Sequence, residues 1–157
     1  MTYTHITVAA VIEKDNCFLL VTDKTNAGLK LNQPAGHVET NEDIINAVIR
    51  EVHEETSMQF TPEKLIGIYL YNPNPENIYL RFCFKGKTSN VMDIPHPQPN
   101  DDGVIAANWY SLEEIRKNSA MLRSTLVMRC IDDYLKGIEF PLEVLANHRD
   151  NIKVYLD

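Results

Sequence analysis

Residues 36–58, GHVETNEDIINAVIREVHEETSM, decide how the rest of the chain is interpreted. Apolar residues recur there three or four positions apart, which is the spacing of one face of an α-helix; they are Ile44, Ile45, Val48, Ile49 and Val52. The pattern predicts a helix over residues 41–56. Thr40 or Asn41 is the expected N-cap, and the carboxylate of Asp43 would favour the positive end of the helix.

The C-terminal half of this helix carries an unusual concentration of negative charge. At ~100° per residue, Glu51, Glu54 and Glu55 share one strip of the helix surface. They repel one another and meet the negative end of the helix dipole, and Arg50 is the only obvious cation in that turn. Carboxylate oxygens are the ligands that Mg²⁺ prefers, so the strip predicts a divalent-cation site. The alternative is a solvated acidic helix end, which is common in proteins.

The spacing of six residues in this segment favours the divalent-cation site over the solvated helix end. Six identities match the box of the Nudix hydrolase family, and at ordinary residue frequencies they coincide by chance on the order of once in 10⁷ to 10⁸ starts; they are Gly36, Glu42, Arg50, Glu51, Glu54 and Glu55. Ser57 departs from the pattern, which has a second glycine at this position. A serine in the left-handed conformation expected there costs about 1 kcal/mol, so the geometry of the helix end is open.

The resemblance to the Nudix family implies a fold and a set of roles. The fold is an α/β (α+β) type, an α/β/α sandwich with a mixed central sheet, and the chemistry is Mg²⁺-dependent, with Mn²⁺ as an alternative. The implied metal ligands are Glu51, Glu54, Glu55 and the carbonyl of Gly36. Arg50 would orient the glutamates. Glu42 would support the loop by pairing with Arg50, which needs a folded-back loop because eight helical residues span ~12 Å.

Further segments resemble a group of small bacterial phosphatases within that family, called NudJ. They are THITVAAVIE, NQPAGHVE, YLRFCF, MLRSTLV and GIEFPLEVL, which run with interruptions from about residue 4 to 145. This resemblance implies hydrolysis of nucleoside tri- and diphosphates, and of the diphosphate of hydroxymethylpyrimidine. It leaves open whether orthophosphate or pyrophosphate is released, and which glutamate is the general base.

The rest of the chain is organised as strands and helices in one expected domain over residues 1–157. Strand-like runs occupy residues 4–12, 17–22, 65–71, 78–84 and 104–110. A turn is expected at residues 72–75, a long irregular loop at 86–103, a short helix from Ser111 and a longer helix over 122–136. Strands interrupted by helices favour a mixed sheet covered on both faces.

Three residues outside the box are candidates for substrate binding. Arg81 lies in an otherwise apolar strand, where a guanidinium needs an anion or a partner acid. Arg123 lies near the start of the long helix, and His37 follows Gly36 directly. Each has a structural alternative: an ion pair or exposed edge for Arg81, a helix-surface charge for Arg123, and a local hydrogen bond for His37.

Two further groups of residues carry weaker signals. Asp101 and Asp102 precede the last strand, where some Nudix enzymes have an additional catalytic acid, but aspartates beside Gly103 are also typical of a turn. The tyrosines could stack a base or a pyrimidine ring, although their strand spacing favours core or half-buried positions; they are Tyr69, Tyr71 and Tyr79.

Composition restricts the partners and the location. The net charge of −7 disfavours a nucleic-acid polymer, so a small phosphorylated molecule is the expected partner of a monomer or homodimer. No apolar run approaches ~20 residues, and the three cysteines form no CxxC pair, which predicts a cytoplasmic protein with free thiols. The alternative functions are a catalytically inactive Nudix module that binds nucleotides or regulates, and an isomerase or structural domain that shares the box.

Overall fold

The computed structural model describes residues 1–89, 94–99 and 103–148, which form eight strands and three α-helices. The strands are β1 (Tyr3–Val11), β2 (Glu13–Lys14), β3 (Cys17–Thr25), β4 (Gly28–Asn32), β5 (Ala35–His37), β6 (Phe60–Asn74), β7 (Asn77–Thr88) and β8 (Val104–Ser111). The helices are α1 (Ile44–Thr56), α2 (Leu112–Lys117) and α3 (Thr125–Leu135).

The strands form two sheets. In the first the order is β5-β1-β7-β6, with β1 parallel to β7 and the other pairs antiparallel, so this sheet is mixed as predicted. The second sheet is antiparallel: β3 pairs with β2, β4 and β8. The chain changes sheets after β1, and a polar turn joins β2 to β3 through Asp15 and Asn16, whose φ angles are 51° and 63°.

Helices cover both faces of the mixed sheet. Side chains of successive strand residues point to opposite faces. One face packs against α1, in a cluster that includes Val8, Ala10, Phe82, Phe84, Ala47, Val48 and Val52. The other face packs against α3, in a cluster that includes Ala9, Val11, Cys83, Val127, Cys130 and Ile131. The α/β/α fold class is therefore confirmed.

The ends of α1 differ from the prediction in one respect. The helix begins at Ile44, and its N-cap is Asp43, whose carboxylate accepts a hydrogen bond from the Asn46 N–H at 2.6 Å. The expected cap at Thr40 or Asn41 was wrong, because Asn41 has a φ of 65° and belongs to the turn before the helix. Ser57 ends the helix with a φ of 63° and a ψ of 10°, the left-handed conformation expected at the position of the family glycine.

Boundaries elsewhere shift by a few residues. The turn between β6 and β7 falls at residues 75–76 rather than 72–75. The long helix starts at Thr125 with Ser124 as its cap, so Arg123 lies just before it. The three cysteines form no disulfide in the described residues, and burial raises the pKa of the Cys83 thiol. Of the helices in the described ranges, none has the length and apolar character needed to cross a membrane.

Candidate active site

A cleft of about 550 Å³ brings together most of the candidate residues. It is lined by Gly36, His37, Arg50, Glu51, Glu54, Glu55, Arg81 and Arg123, among others. Glu42 does not line the cleft but reaches it through Arg50. Asp101 and Asp102 lie outside the described residues, so a role for them as an additional acid stays a prediction.

Helix α1 presents its three glutamates to this cleft at different depths. Glu51 and Glu55 are buried, with 5% and 4% of their surface exposed, whereas the Glu54 side chain is 35% exposed. A buried carboxylate is costly unless it accepts hydrogen bonds. Glu55 Oε1 accepts one from the backbone N–H of Ala35 at 2.7 Å, which ties the helix to the start of β5.

Arg50 connects the acidic residues. Its Nε and Nη2 donate to the two carboxylate oxygens of Glu42 at 2.6 and 2.9 Å. Its Nη1 donates to Glu51 at 2.8 Å and to Glu54 at 3.2 Å, and Nη2 also donates to the carbonyl of His37 at 3.0 Å. The bond to Arg50 is the main cause that lowers the pKa of Glu42 below its usual value. The predicted pair is therefore present, and the turn at Asn41 supplies the required fold-back.

Gly36 is required by the position of Glu51. A Cβ atom on Gly36 would lie 2.2 Å from the carboxyl carbon and from Oε1 of Glu51. The carboxylate thus occupies the space that any larger residue would fill. Glycine is therefore needed at this position of the box for steric reasons, and its backbone lies directly beside the carboxylate of Glu51.

The chemistry of these donors fits a hard divalent cation, but their arrangement is not that of a formed metal site. Within the described ranges, no three His, Cys, Asp or Glu side chains are already placed together around one metal position. Glu51 and Glu54 instead both accept hydrogen bonds from Arg50 Nη1. A cation at this position would have to draw these carboxylates partly away from the arginine.

The end of α1 is fastened to residues 94–98 by four hydrogen bonds. The backbone N–H groups of His96 and Gln98 donate to the carbonyls of Thr56 and Glu54 at 3.0 and 2.7 Å. The Ser57 hydroxyl donates to the His96 carbonyl at 2.6 Å and accepts from Gln98 Nε2 at 2.6 Å. The serine that replaces the family glycine therefore holds this segment against the helix that carries the glutamates.

Arg81 is the buried cation of the cleft. It is 6% exposed, lies on β7 beside Thr7 of β1, and donates from Nη2 to Asn32 Oδ1 at 3.0 Å. Within the part of the chain that the structure describes, it forms no ion pair. A guanidinium has five N–H donors, so most of those of Arg81 are available to an anion in the cleft.

The other two substrate-binding candidates already have partners. Arg123 is exposed, and its Nη1 donates to Asp23, a buried carboxylate, at 2.7 Å. Its backbone N–H donates to the carbonyl of Leu31. The His37 ring meets that of His5, with His37 Nε2 3.0 Å from His5 Nδ1. Arg123 and His37 nevertheless both line the cleft, so these structural contacts are compatible with a role in substrate binding.

Two of the three ring-stacking candidates line the cleft, and sequence reasoning missed several polar residues there. Tyr71 and Tyr79 are half-buried at the cleft, whereas Tyr69 is buried and its hydroxyl donates to Asp133 at 2.8 Å. The missed polar residues are Thr7, Asp23 and Asn32. Alternation along β1 and β7 was the available signal, because it places positions 5 and 7 on the same face as 79 and 81.

Comparison with known proteins agrees with this geometry. The NUDIX domain profile matches residues 3–129. The phosphatase NudJ of Shigella boydii serotype 4 (strain Sb227) is 35% identical over 143 residues, 91% of each chain, and that of Escherichia coli (strain K12) is 34% identical over the same share. A solved NUDIX hydrolase from Nitrosomonas europaea is 44% identical, with a TM-score of 0.84 over 93% of this chain and 98% of that one. The chain thus belongs to the Nudix hydrolase family, whose reaction is the hydrolysis of phosphorus-containing anhydrides.

Proposed function

We propose that this hydrolase cleaves the phosphoanhydride bonds of nucleoside tri- and diphosphates or related small-molecule diphosphates, such as hydroxymethylpyrimidine diphosphate. The observation that carries the proposal is that three carboxylates of α1 and the buried guanidinium of Arg81 face one cleft. Its volume of about 550 Å³ is in the range of small-molecule sites. Mg²⁺ is the expected metal, and Mn²⁺ is the alternative.

Glu51, Glu54 and Glu55, with the carbonyl of Gly36, are the residues that would hold the metal, because oxygen donors of this kind suit Mg²⁺. When bound, the ion would neutralise phosphate charge and lower the pKa of a bound water. Arg50 orients Glu51 and Glu54 through its hydrogen bonds to both, and its bidentate pair with Glu42 fixes the guanidinium itself. One carboxylate takes the proton of the attacking water, and Glu54 has the most accessible side chain of the three.

Arg81 would bind the phosphoryl oxygens through its unused N–H groups, since a planar guanidinium matches a phosphate in geometry and charge. Arg123 would contribute charge from the rim of the cleft while it remains paired with Asp23. The named relatives are phosphatases, which supports orthophosphate as a product. The three free cysteines support the expected cytoplasmic location.

The direct test is incubation of the purified chain with a panel of nucleoside tri- and diphosphates and pyrimidine diphosphates. Each reaction is run with Mg²⁺, with Mn²⁺ and with EDTA, and released orthophosphate and pyrophosphate are measured separately. We expect release that depends on the metal and is abolished by EDTA. Metal-dependent binding of nucleotides without any release would instead favour the inactive, regulatory alternative and overturn the proposal.

A further inference from the structure

A row of ring side chains crosses the mixed sheet at the outer end of the cleft. The strand register places His5 of β1 beside Tyr79 of β7, and Tyr79 opposite Tyr71 of β6. Tyr71, Tyr79 and Pro73 line the cleft, and both tyrosines are half-buried. The catalytic roles described above use none of these rings, which sit in the same cleft as the candidate catalytic residues.

Tyr79 is held in place by the ring behind it. The His5 and Tyr79 rings are stacked, with centroids 4.4 Å apart and planes inclined by 11°. Tyr71 lies on the other side of Tyr79, at 6.5 Å and 45°. A flat ring inserted between two others needs ~7 Å, twice the contact distance of carbon atoms, so the Tyr71 ring would have to turn toward parallel and move slightly away from Tyr79 to admit one.

Hydrogen bonds fix His5 itself. The backbone N–H of Glu76 can only donate, so the Asn74 atom that it meets at 3.0 Å is the oxygen Oδ1. The side chain of Asn77 lies 3.0 Å from the same oxygen, so its Nδ2 is the donor to Asn74 Oδ1. The other atom of that amide, Asn77 Oδ1, is then the acceptor that lies 2.8 Å from His5 Nε2. His5 Nε2 therefore carries a proton. In a neutral His5, Nδ1 then accepts a hydrogen bond from Nε2 of His37 at 3.0 Å.

The rings stand at a fixed distance from the phosphate-binding candidate. Tyr79 and Arg81 are two residues apart on β7, so their side chains leave the same face of the sheet at points ~7 Å from each other. Both line the cleft. A small molecule with a phosphate at Arg81 and a ring beside Tyr79 would occupy both positions at once.

We propose that Tyr71, Tyr79 and Pro73 form a subsite that stacks the planar heteroaromatic ring of the substrate, with His5 as a positioning residue behind Tyr79. The inference rests on the proposed function, since it names the substrate class of the same cleft. Stacking accepts any ring with a π-face, so purine and pyrimidine compounds both bind, and diphosphates of alkyl groups gain nothing from the subsite.

The test compares one ring-bearing and one alkyl substrate, cytidine diphosphate and isopentenyl diphosphate, on the full chain and on Tyr79→Ala and Tyr79→Phe. Loss of a stacking side chain weakens binding by roughly 5-fold to 150-fold per base. We expect the KM for cytidine diphosphate to rise within this range in Tyr79→Ala, with kcat and the isopentenyl diphosphate kinetics unchanged. Tyr79→Phe keeps the aromatic ring and should have the wild-type KM for cytidine diphosphate. Leu70→Ala, at an exposed position on the adjoining strand, is the matched control.

Equal effects of Tyr79→Ala on the two substrates would overturn the inference. Calorimetric binding of cytidine monophosphate to the same variants separates this result from a failure of the proposed function, because it requires no turnover. If the wild-type chain hydrolyses neither substrate, a Kd that is higher for Tyr79→Ala and normal for Tyr79→Phe still supports the subsite. An unchanged Kd in Tyr79→Ala contradicts it.

Discussion

At the scale of single residues, the contact between Gly36 and Glu51 couples the loop to the acidic helix. An alanine at position 36 would place its Cβ 2.2 Å from the Glu51 carboxyl group, and the flexible side chain rather than the backbone would have to move. We expect Gly36→Ala to lower kcat/KM by at least 10-fold while the melting temperature stays within a few degrees. Activity assays and calorimetric melting measure the two effects.

Gly86 provides a contrasting control for that substitution. A Cβ there would lie 2.1 Å from the backbone carbonyl oxygen of Thr61 on the neighbouring strand, so the sheet itself would have to shift. Gly86→Ala should therefore destabilise the fold rather than act on the site. A Gly36→Ala variant that retains full activity would contradict the assigned role of Glu51.

The Glu42–Arg50 pair predicts a specific pH dependence of stability. Folding lowers the pKa of Glu42, so the ionised carboxylate stabilises the folded state. This stabilisation is fully present above the unfolded pKa of ~4.3, and it is lost as the pH falls through the lower pKa of the folded state. Glu42→Gln should cost about 1 to 3 kcal/mol at pH 7 and less below pH ~4. Urea unfolding at both pH values measures this, and an equal loss at both would refute it.

At the scale of elements, the end of α1 shows why serine is tolerated where the family has glycine. The strained left-handed conformation of Ser57 was one of the two helix ends that the sequence left open. The compensating hydrogen bonds to His96 and Gln98 were not expected, because those residues lie about 40 positions away in an irregular segment. Local patterns predict backbone conformation, but they do not identify such distant partners.

Substitutions at Ser57 separate strain from hydrogen bonding. Ser57→Ala keeps the left-handed strain and loses both side-chain hydrogen bonds, so it should destabilise the chain by about 1 to 3 kcal/mol. Ser57→Gly loses the same bonds but removes about 1 kcal/mol of backbone strain, so it should be more stable than Ser57→Ala. Chemical unfolding of the three proteins gives the order. An alanine variant as stable as the wild type would show that the contacts with residues 96 and 98 contribute nothing.

At the scale of the whole molecule, the two sheets share their cores. Leu19 and Val21 of the second sheet belong to the cluster under α1, and Phe18 and Leu20 belong to the cluster under α3. We propose on this basis that the chain unfolds as one domain. Trp109 fluorescence and far-ultraviolet circular dichroism should report coincident transitions in urea. Separate midpoints for the two signals would indicate independently folding parts.

The sequence predicted the parts of this molecule that depend on local spacing. The apolar repeat of α1, the strip of glutamates and the strand runs all appear close to their expected positions. The split into two sheets was not predicted, because it depends on which strands pair and not on which residues form strands. The position of Tyr71 and Tyr79 at the cleft was one of two alternatives that the sequence left open. Strand alternation alone could not decide between them, because the same alternation occurs on a sheet face that is fully buried and on one that lines a cleft.

If the carboxylates of α1 perform metal-dependent hydrolysis, replacing Glu54 with glutamine should abolish the reaction without disturbing the fold. Glu54 is partly exposed and has Arg50 as its partner, so the amide should leave the melting temperature almost unchanged. The measurement is Mg²⁺-dependent phosphate release by the variant and the wild type at equal concentration. We predict a fall of at least 10²-fold in kcat with a normal melting curve, in line with the loss of a metal ligand or base. Near-wild-type turnover in Glu54→Gln would contradict the account.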